Sequence, residues 1–194
     1  MQSGNRRLTC FLLLALATRG GVPEPSLSAQ RKVDLIQKDR WPSSNSISFN
    51  SQELVALGMA QINAAAPGAV QRPQLTLVRD GATASAVVNF DRLRQSSRTT
   101  NSSGEWLYSR ILTGEHPVTV TVEVSSSGGK MTVHPTAVTI SGVTLSGGGL
   151  EFLLSTFVLP RYPDATIDRP FPLRENIERI RVSPGNALVI RKHN

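Results

Sequence analysis

From Pro117 to Ser125 the chain alternates without a break. Val118, Val120, Val122 and Val124 fall on one side, and Thr119, Thr121, Glu123 and Ser125 on the other. A strict period of two marks a strand with one dry face and one wet face, which belongs to an antiparallel sheet rather than a parallel sheet covered on both sides. The next apolar segment, Lys130–Ile140, changes phase midway. Met131 and Val133 share one parity, Val138 and Ile140 the other, and Pro135 lies between them. A bulge at His134-Pro135 reconciles the slip with the proline and predicts a sheet that bends.

The remaining signals add helices at both ends of this strand-rich region. Asn50 with Glu53 three residues on has capping-box spacing, and opens a helix carrying Leu54, Leu57, Gly58, Gln61 and Ile62 on one face until Pro67-Gly68. Gln74–Arg79 and Thr83–Asn89 are expected to pair across Asp80-Gly81. Phe90–Arg98 reads as a short helical turn, and Trp106–Leu112 as another strand. Leu150, Leu153, Leu154, Phe157 and Val158 form a broad apolar stripe on a helix over 150–159, ended by Pro160. Ile177–Val182 and Ala187–Arg191 form a hairpin over Ser183-Pro-Gly-Asn186, with Arg179 and Arg181 facing away from Ile180 and Val182. The expected fold is α+β: a curved antiparallel β-sheet packed around one or two α-helices, in a single domain over 47–194.

At the N-terminus, Arg6 and Arg7 precede the apolar run Leu8–Thr18, and small residues follow, with Ser26 and Ser28 at signal-peptidase spacing. This reads as a secretory signal over 1–28, cleaved after Ser28, and then a polar flexible leader over 29–46. A membrane anchor and a buried N-terminal helix compete with it. An anchor needs about 20 apolar residues, and a buried helix does not ordinarily begin with paired arginines. Cys10, the one cysteine, lies inside the apolar run and is a poor lipidation site, so the expected location is periplasmic or secreted without lipidation. A mature chain starting at Ala29 has no thiol for disulfides, thiolate catalysis or thiolate metal sites. Its net charge falls from +7 to about +5.

No constellation of residues names a chemistry. His116, His134 and His193 show neither HxH nor HExxH spacing, so no metal site is expected. There is no G-x-S-x-G elbow, and Ser146-Gly-Gly-Gly149 is followed by Leu150-Glu151 rather than the lysine of a phosphate loop. Asp164 and Asp168 each have an arginine close by and read as salt-bridged loop acids. Asn101-Ser-Ser103 is a formal glycosylation acceptor. The basic excess is moderate and spread out, and its arginines, such as Arg161, Arg169, Arg174, Arg179, Arg181 and Arg191 in the last third, are not interleaved with aromatics, which disfavours nucleic acid and leaves a solvated face or an anionic membrane surface.

Several short phrases carry a resemblance: Ile47-Ser-Phe-Asn-Ser-Gln-Glu-Leu54, Arg79-Asp-Gly81 running into Val87-Val-Asn-Phe-Asp-Arg-Leu93, Val118–Val124, Met131–Ile140 with Ser141-Gly-Val-Thr-Leu145, Leu159-Pro-Arg-Tyr-Pro163, Arg169-Pro-Phe-Pro-Leu173 and Ile177–Val182. Together they make 47–191 resemble secreted bacterial lipid-binding proteins of the tubular-lipid-binding-like (TULIP-like) type. The resemblance implies a lipid or other apolar ligand, held between a curved sheet and an apolar helix in the cell envelope, with no catalysis and no cofactor. It would be lined by Val118, Val120, Val122, Leu150, Leu153, Leu154 and Phe157, with Arg179 and Arg181 meeting headgroups. The alternative is an envelope scaffold domain with a filled core. An esterase or glycosidase using Ser146 or Asp164 ranks third.

Overall fold

A computed structural model describes residues 24–95, 113–155 and 168–192. The predicted strand over Trp106–Leu112 and the residues Cys10, Asn101, Phe157, Asp164 and His193 lie outside them. The helices are α1 (Glu24–Gln37), α2 (Ser51–Ala65), α3 (Phe90–Gln95) and α4 (Gly148–Leu153). The strands are β1 (Ser46–Asn50), β2 (Val70–Val78), β3 (Gly81–Asn89), β4 (Glu115–Ser127), β5 (Lys130–Ile140), β6 (Val143–Leu145), β7 (Phe171–Pro172), β8 (Ile177–Ser183) and β9 (Asn186–Arg191). The chain is a single α+β domain with antiparallel pairing. The large sheet runs β2-β3-β4-β5-β6, with β7 added to β5, and a smaller sheet runs β1-β9-β8.

Turn chemistry fixes the register of each hairpin. Ser127 pairs with Lys130 across Gly128-Gly129, both at positive φ (56° and 72°), the conformation of a two-residue turn matched to strand twist. Ser183 pairs with Asn186 across Pro184-Gly185, where proline presets φ and Gly185 takes φ 82°. In the β2–β3 hairpin the turn is Arg79-Asp80, one residue earlier than the sequence suggested, because Gly81 already pairs with Val78. Gly81 answers to a different need. A Cβ there would lie 2.8 Å from the carbonyl oxygen of Val122, so β4 can approach this closely only with glycine opposite.

The phase slip in β5 is a bulge, but it falls one residue beyond the expected His134-Pro135, with Thr136 as the extra residue. Thr121 pairs with Ala137 and Val122 with Pro135, which leaves Thr136 unmatched. Its hydroxyl donates to the Thr121 carbonyl at 3.2 Å. The insertion returns Val138 and Ile140 to the face shared by Val120 and Val118, their partners. One continuous apolar face results, and two clusters pack on it. The first joins Leu77 and Met131 to α1, α2 and the small sheet, around Phe49, Ile177, Ile180 and Val189. The second joins Val138 and Ile140 to Phe90 of α3 and Leu150 of α4.

The expectation of a flexible leader over 29–46 is corrected: residues through Gln37 are α1, and Ala29, Val33 and Ile36 are among the most deeply buried side chains of the first cluster. Their spacing of i, i+4 and i+7 gives a stripe one residue wide, flanked by Gln30, Arg31, Lys32 and Asp34, which hid it. The expected cleavage point after Ser28 falls inside this helix. At its C-terminal end, Asp39 accepts from Trp41 Nε1 (2.7 Å), Asn176 Nδ2 (3.2 Å) and Arg191 Nη2 (2.9 Å). The hydrogen bonds from Asn176 and Trp41, with Arg191 beside it, hold its carboxyl below the usual carboxylate range.

Glu53 locks α1 to α2. The capping box is formed: the Glu53 N–H donates to Asn50 Oδ1, and the Asn50 N–H to Glu53 Oε2, both at 2.9 Å. The same carboxylate accepts from Ser28 Oγ at 2.5 Å and pairs with Lys32 Nζ at 2.6 Å. Its side chain is only 3% exposed. Burial pushes the carboxyl pKa up, but the hydrogen bonds from Lys32, Ser28 and Asn50 outweigh it and hold the group ionised below its ordinary range.

Two outcomes follow. Glu53→Ala keeps the Asn50 side-chain cap but removes the acceptor of the Asn50 N–H and of the Ser28 hydroxyl and leaves Lys32 unpaired, and is expected to cost about 2–3 kcal/mol in urea unfolding at pH 7. Because the folded-state pKa is depressed, this stabilisation is present above the unfolded carboxyl pKa of about 4.3 and is lost as pH falls through the lower folded value. The wild-type advantage over Glu53→Ala should therefore shrink below pH 4. Gly81→Ala should destabilise by about 1–3 kcal/mol, since the opposing atom is backbone and cannot turn aside; the urea midpoint reads it.

Candidate functional site

The structure separates the two halves of the expected ligand site. Val118, Val120 and Leu154 are partly buried against the second cluster, and Leu150 is buried within it. Leu153 is the last residue of α4. Phe90 occupies the described part of this seam. It is 4% exposed and packs with Val138, Ile140 and Leu150. His116 stands at its edge, with ring centroids 5.8 Å apart. That histidine is fully engaged: Nε2–H donates to the Thr113 carbonyl and Nδ1 is hydrogen-bonded with the Ser141 hydroxyl, each at 2.8 Å. Val122 is half-buried and belongs to neither cluster, so it marks the gap between them.

Arg179 and Arg181 are elsewhere. In β8 the side chains of Ile180 and Val182 enter the first cluster, so Arg179 and Arg181, which alternate with them, project from the opposite side and are exposed. The valine row lies on the inner face of the large sheet and the arginines on an outer surface. The notion of one site with tails on the valines and headgroups on these arginines is not supported by this geometry.

The arginines instead border an open groove of about 640 Å³ between β8, the β2–β3 turn and the outer face of β4 and β5. Backbone contacts set its walls. The Asp80 N–H donates to the Val182 carbonyl (3.2 Å), and the Asp80 carbonyl accepts from Val124 N–H (2.8 Å). Ser126 Oγ accepts from Ile180 N–H at 3.0 Å, and Gly129 N–H donates to the Glu178 carbonyl at 2.7 Å. The β2–β3 turn thereby brings Arg79 to the same rim as Arg179 and Arg181.

The outward residues of the sheet, Glu123, Ser125, Thr132 and His134, form the floor. His134 Nδ1 pairs with Asp168. Arg79, Arg179 and Arg181 make no ion pair with any described residue. Three exposed guanidiniums on one concave surface give a local positive potential and planar donors shaped for phosphate or carboxylate oxygens. Asp80 on the rim and Glu123 on the floor would face hydroxyl or ammonium groups of a ligand.

The sequence had singled out Arg179 and Arg181 but not Arg79 or His134. The signal for Arg79 was its place next to a turn aspartate, and nothing local says which strand that turn will meet. Among the described residues, no three His, Cys, Asp or Glu side chains cluster as a metal site, and no helix is long and apolar enough to cross a membrane. No family model matches the chain, and no curated protein or solved structure is similar to it.

Proposed function

We propose that this chain is an exported, non-catalytic lipid-binding protein of the cell envelope, and that it recognises its lipid by a phosphate-bearing headgroup in the arginine groove. The observation that carries this reading is the convergence of Arg79, Arg179 and Arg181, without an ion-pair partner among the described residues, on one open concavity. Free guanidiniums favour phosphate oxygens bidentately, while Asp80 and Glu123 complement the uncharged or cationic remainder of a headgroup. The net charge of about +5 that remains once the signal is removed favours approach to an anionic surface. The resemblance to tubular-lipid-binding-like proteins agrees in substrate class, though the headgroup surface lies apart from the valine-lined seam.

A second reading, an envelope scaffold domain without a ligand, is favoured by Phe90, whose ring fills the described seam with protein.

Vesicle co-sedimentation separates the two. Vesicles containing phosphatidylglycerol should bind the protein, and phosphatidylcholine vesicles should bind it weakly. Raising salt from 0.05 to 0.5 M should release it. With about 1 kcal/mol per basic residue near an anionic surface, Arg179→Ala with Arg181→Ala should weaken binding roughly thirty-fold. Inorganic phosphate at millimolar concentration serves as the comparison arm: displacement of the protein from vesicles by phosphate alone would assign the groove to the free ion. Equal binding of wild type and the double variant overturns the groove as the headgroup site. Absence of any vesicle binding leaves the scaffold reading in place.

A further inference from the structure

The floor of the arginine groove carries more polar chemistry than a phosphate uses. Glu123 pairs across the strands with His134, and Ser125 with Thr132. Four outward side chains therefore stand at the corners of a patch roughly 5 Å by 7 Å. Among the described residues, Glu123, Ser125 and Thr132 have no side-chain hydrogen bond or ion pair. His134 is committed on one side only. Asp168 holds its Nδ1, and an ionised carboxylate only accepts, so the ring proton lies on Nδ1 and the neutral ring keeps Nε2 as an acceptor. The groove measures about 640 Å³, the size of a small-molecule cleft, so a phosphate on Arg79, Arg179 and Arg181 leaves room for the group it is esterified to.

Three chemistries compete for that room. Quaternary ammonium is recognised over aromatic faces, and none of the residues lining the groove is Phe, Tyr or Trp. A primary ammonium suits Asp80 and Glu123, but it stands in the field of three guanidiniums and only donates, which leaves the Ser125 and Thr132 hydroxyls nothing to donate to. A hydroxyl carries no charge to be repelled. It donates to Glu123, Asp80 or His134 Nε2, and it accepts from Ser125 or Thr132.

We propose that the groove takes a phosphate ester of a polyol, with the phosphate on the three arginines and the hydroxyls on the patch of Glu123, His134, Ser125 and Thr132. This deepens the reading above and rests on its arginine groove. A phosphatidylglycerol headgroup and soluble glycerol phosphate present the same chemistry, and the test has an arm for each.

Phosphatidylcholine vesicles carrying phosphatidylglycerol or phosphatidylserine at equal mole fraction offer the same net headgroup charge, with hydroxyls in one case and an ammonium in the other. Co-sedimentation should show phosphatidylglycerol bound roughly tenfold more tightly. Glu123→Ala with His134→Ala, both on exposed side chains, should bring the two lipids level with the urea midpoint unchanged, and Thr132→Val should lower the ratio part of the way. Removing an acid alters attraction to either anionic surface alike, so the ratio isolates the headgroup contacts. Equal binding of the two lipids by wild type, or an unchanged ratio in the double variant, overturns the polyol assignment and leaves the arginine reading standing. In solution, calorimetric titration with glycerol 3-phosphate and with O-phosphoethanolamine reads the same preference without a membrane. A preference for glycerol phosphate there, with no vesicle binding, supports the polyol class and overturns the lipid reading. No binding in either arm overturns both.

Discussion

One unmatched threonine determines how the large sheet can be used. Without Thr136, every inward residue of β5 beyond Pro135 would turn outward, and Val138 and Ile140 would face water opposite Val120 and Val118. With it, the apolar face stays continuous over the length of β4, and two separate clusters can pack on one sheet. The first takes α1, α2 and the small sheet; the second takes α3 and α4. The proline next to the bulge is tolerated for the same reason, since the ladder is already irregular there.

This arrangement divides the molecule by chemistry. The inner face is filled by valine, leucine, isoleucine and phenylalanine, and the outer face of β4 and β5 carries threonine, serine, glutamate and histidine. Among the described residues, the polar groove accordingly lies on the outside. It forms because the small sheet does not join the large one as a further paired strand. Instead, β8 is tied to it at separate points, through Asp80, Ser126 and Gly129. The space between those ties is where the arginines meet. An edge strand held off by charged side chains is also protected against pairing with another chain.

Legibility in the sequence tracked how local each signal was. Alternation in β4, the glycine turn at Gly128-Gly129 and the Asn50–Glu53 box each specify structure within a few residues, and all three are present. Helix α1 was missed because its buried stripe consists of Ala29, Val33 and Ile36 alone, in a segment whose other residues are polar. Its place in the core is set by partners far along the chain: Glu53, Asn176 and Arg191. The groove was half legible. Outward arginines on β8 follow from alternation, but Arg79 and His134 reach the same rim through the pairing of distant strands. The valine row was correctly placed on one face, yet Phe90, a residue of the short α3, fills the part of the seam against Val138 and Ile140, and no periodicity announces that.

The small sheet pairs Ser46 with Ile190 and Asn50 with Asn186, so its first strand waits for the last. Helix α1 shares its buried cluster with that same sheet, and Arg191 holds Asp39 just past the helix end. Loop closure over such a separation makes assembly late, and a growing polypeptide lacking its final hairpin leaves Phe49 and Ile36 without their cover. Vectorial synthesis thus leaves this sheet, and the seat of α1 upon it, unfinished until β9 has emerged.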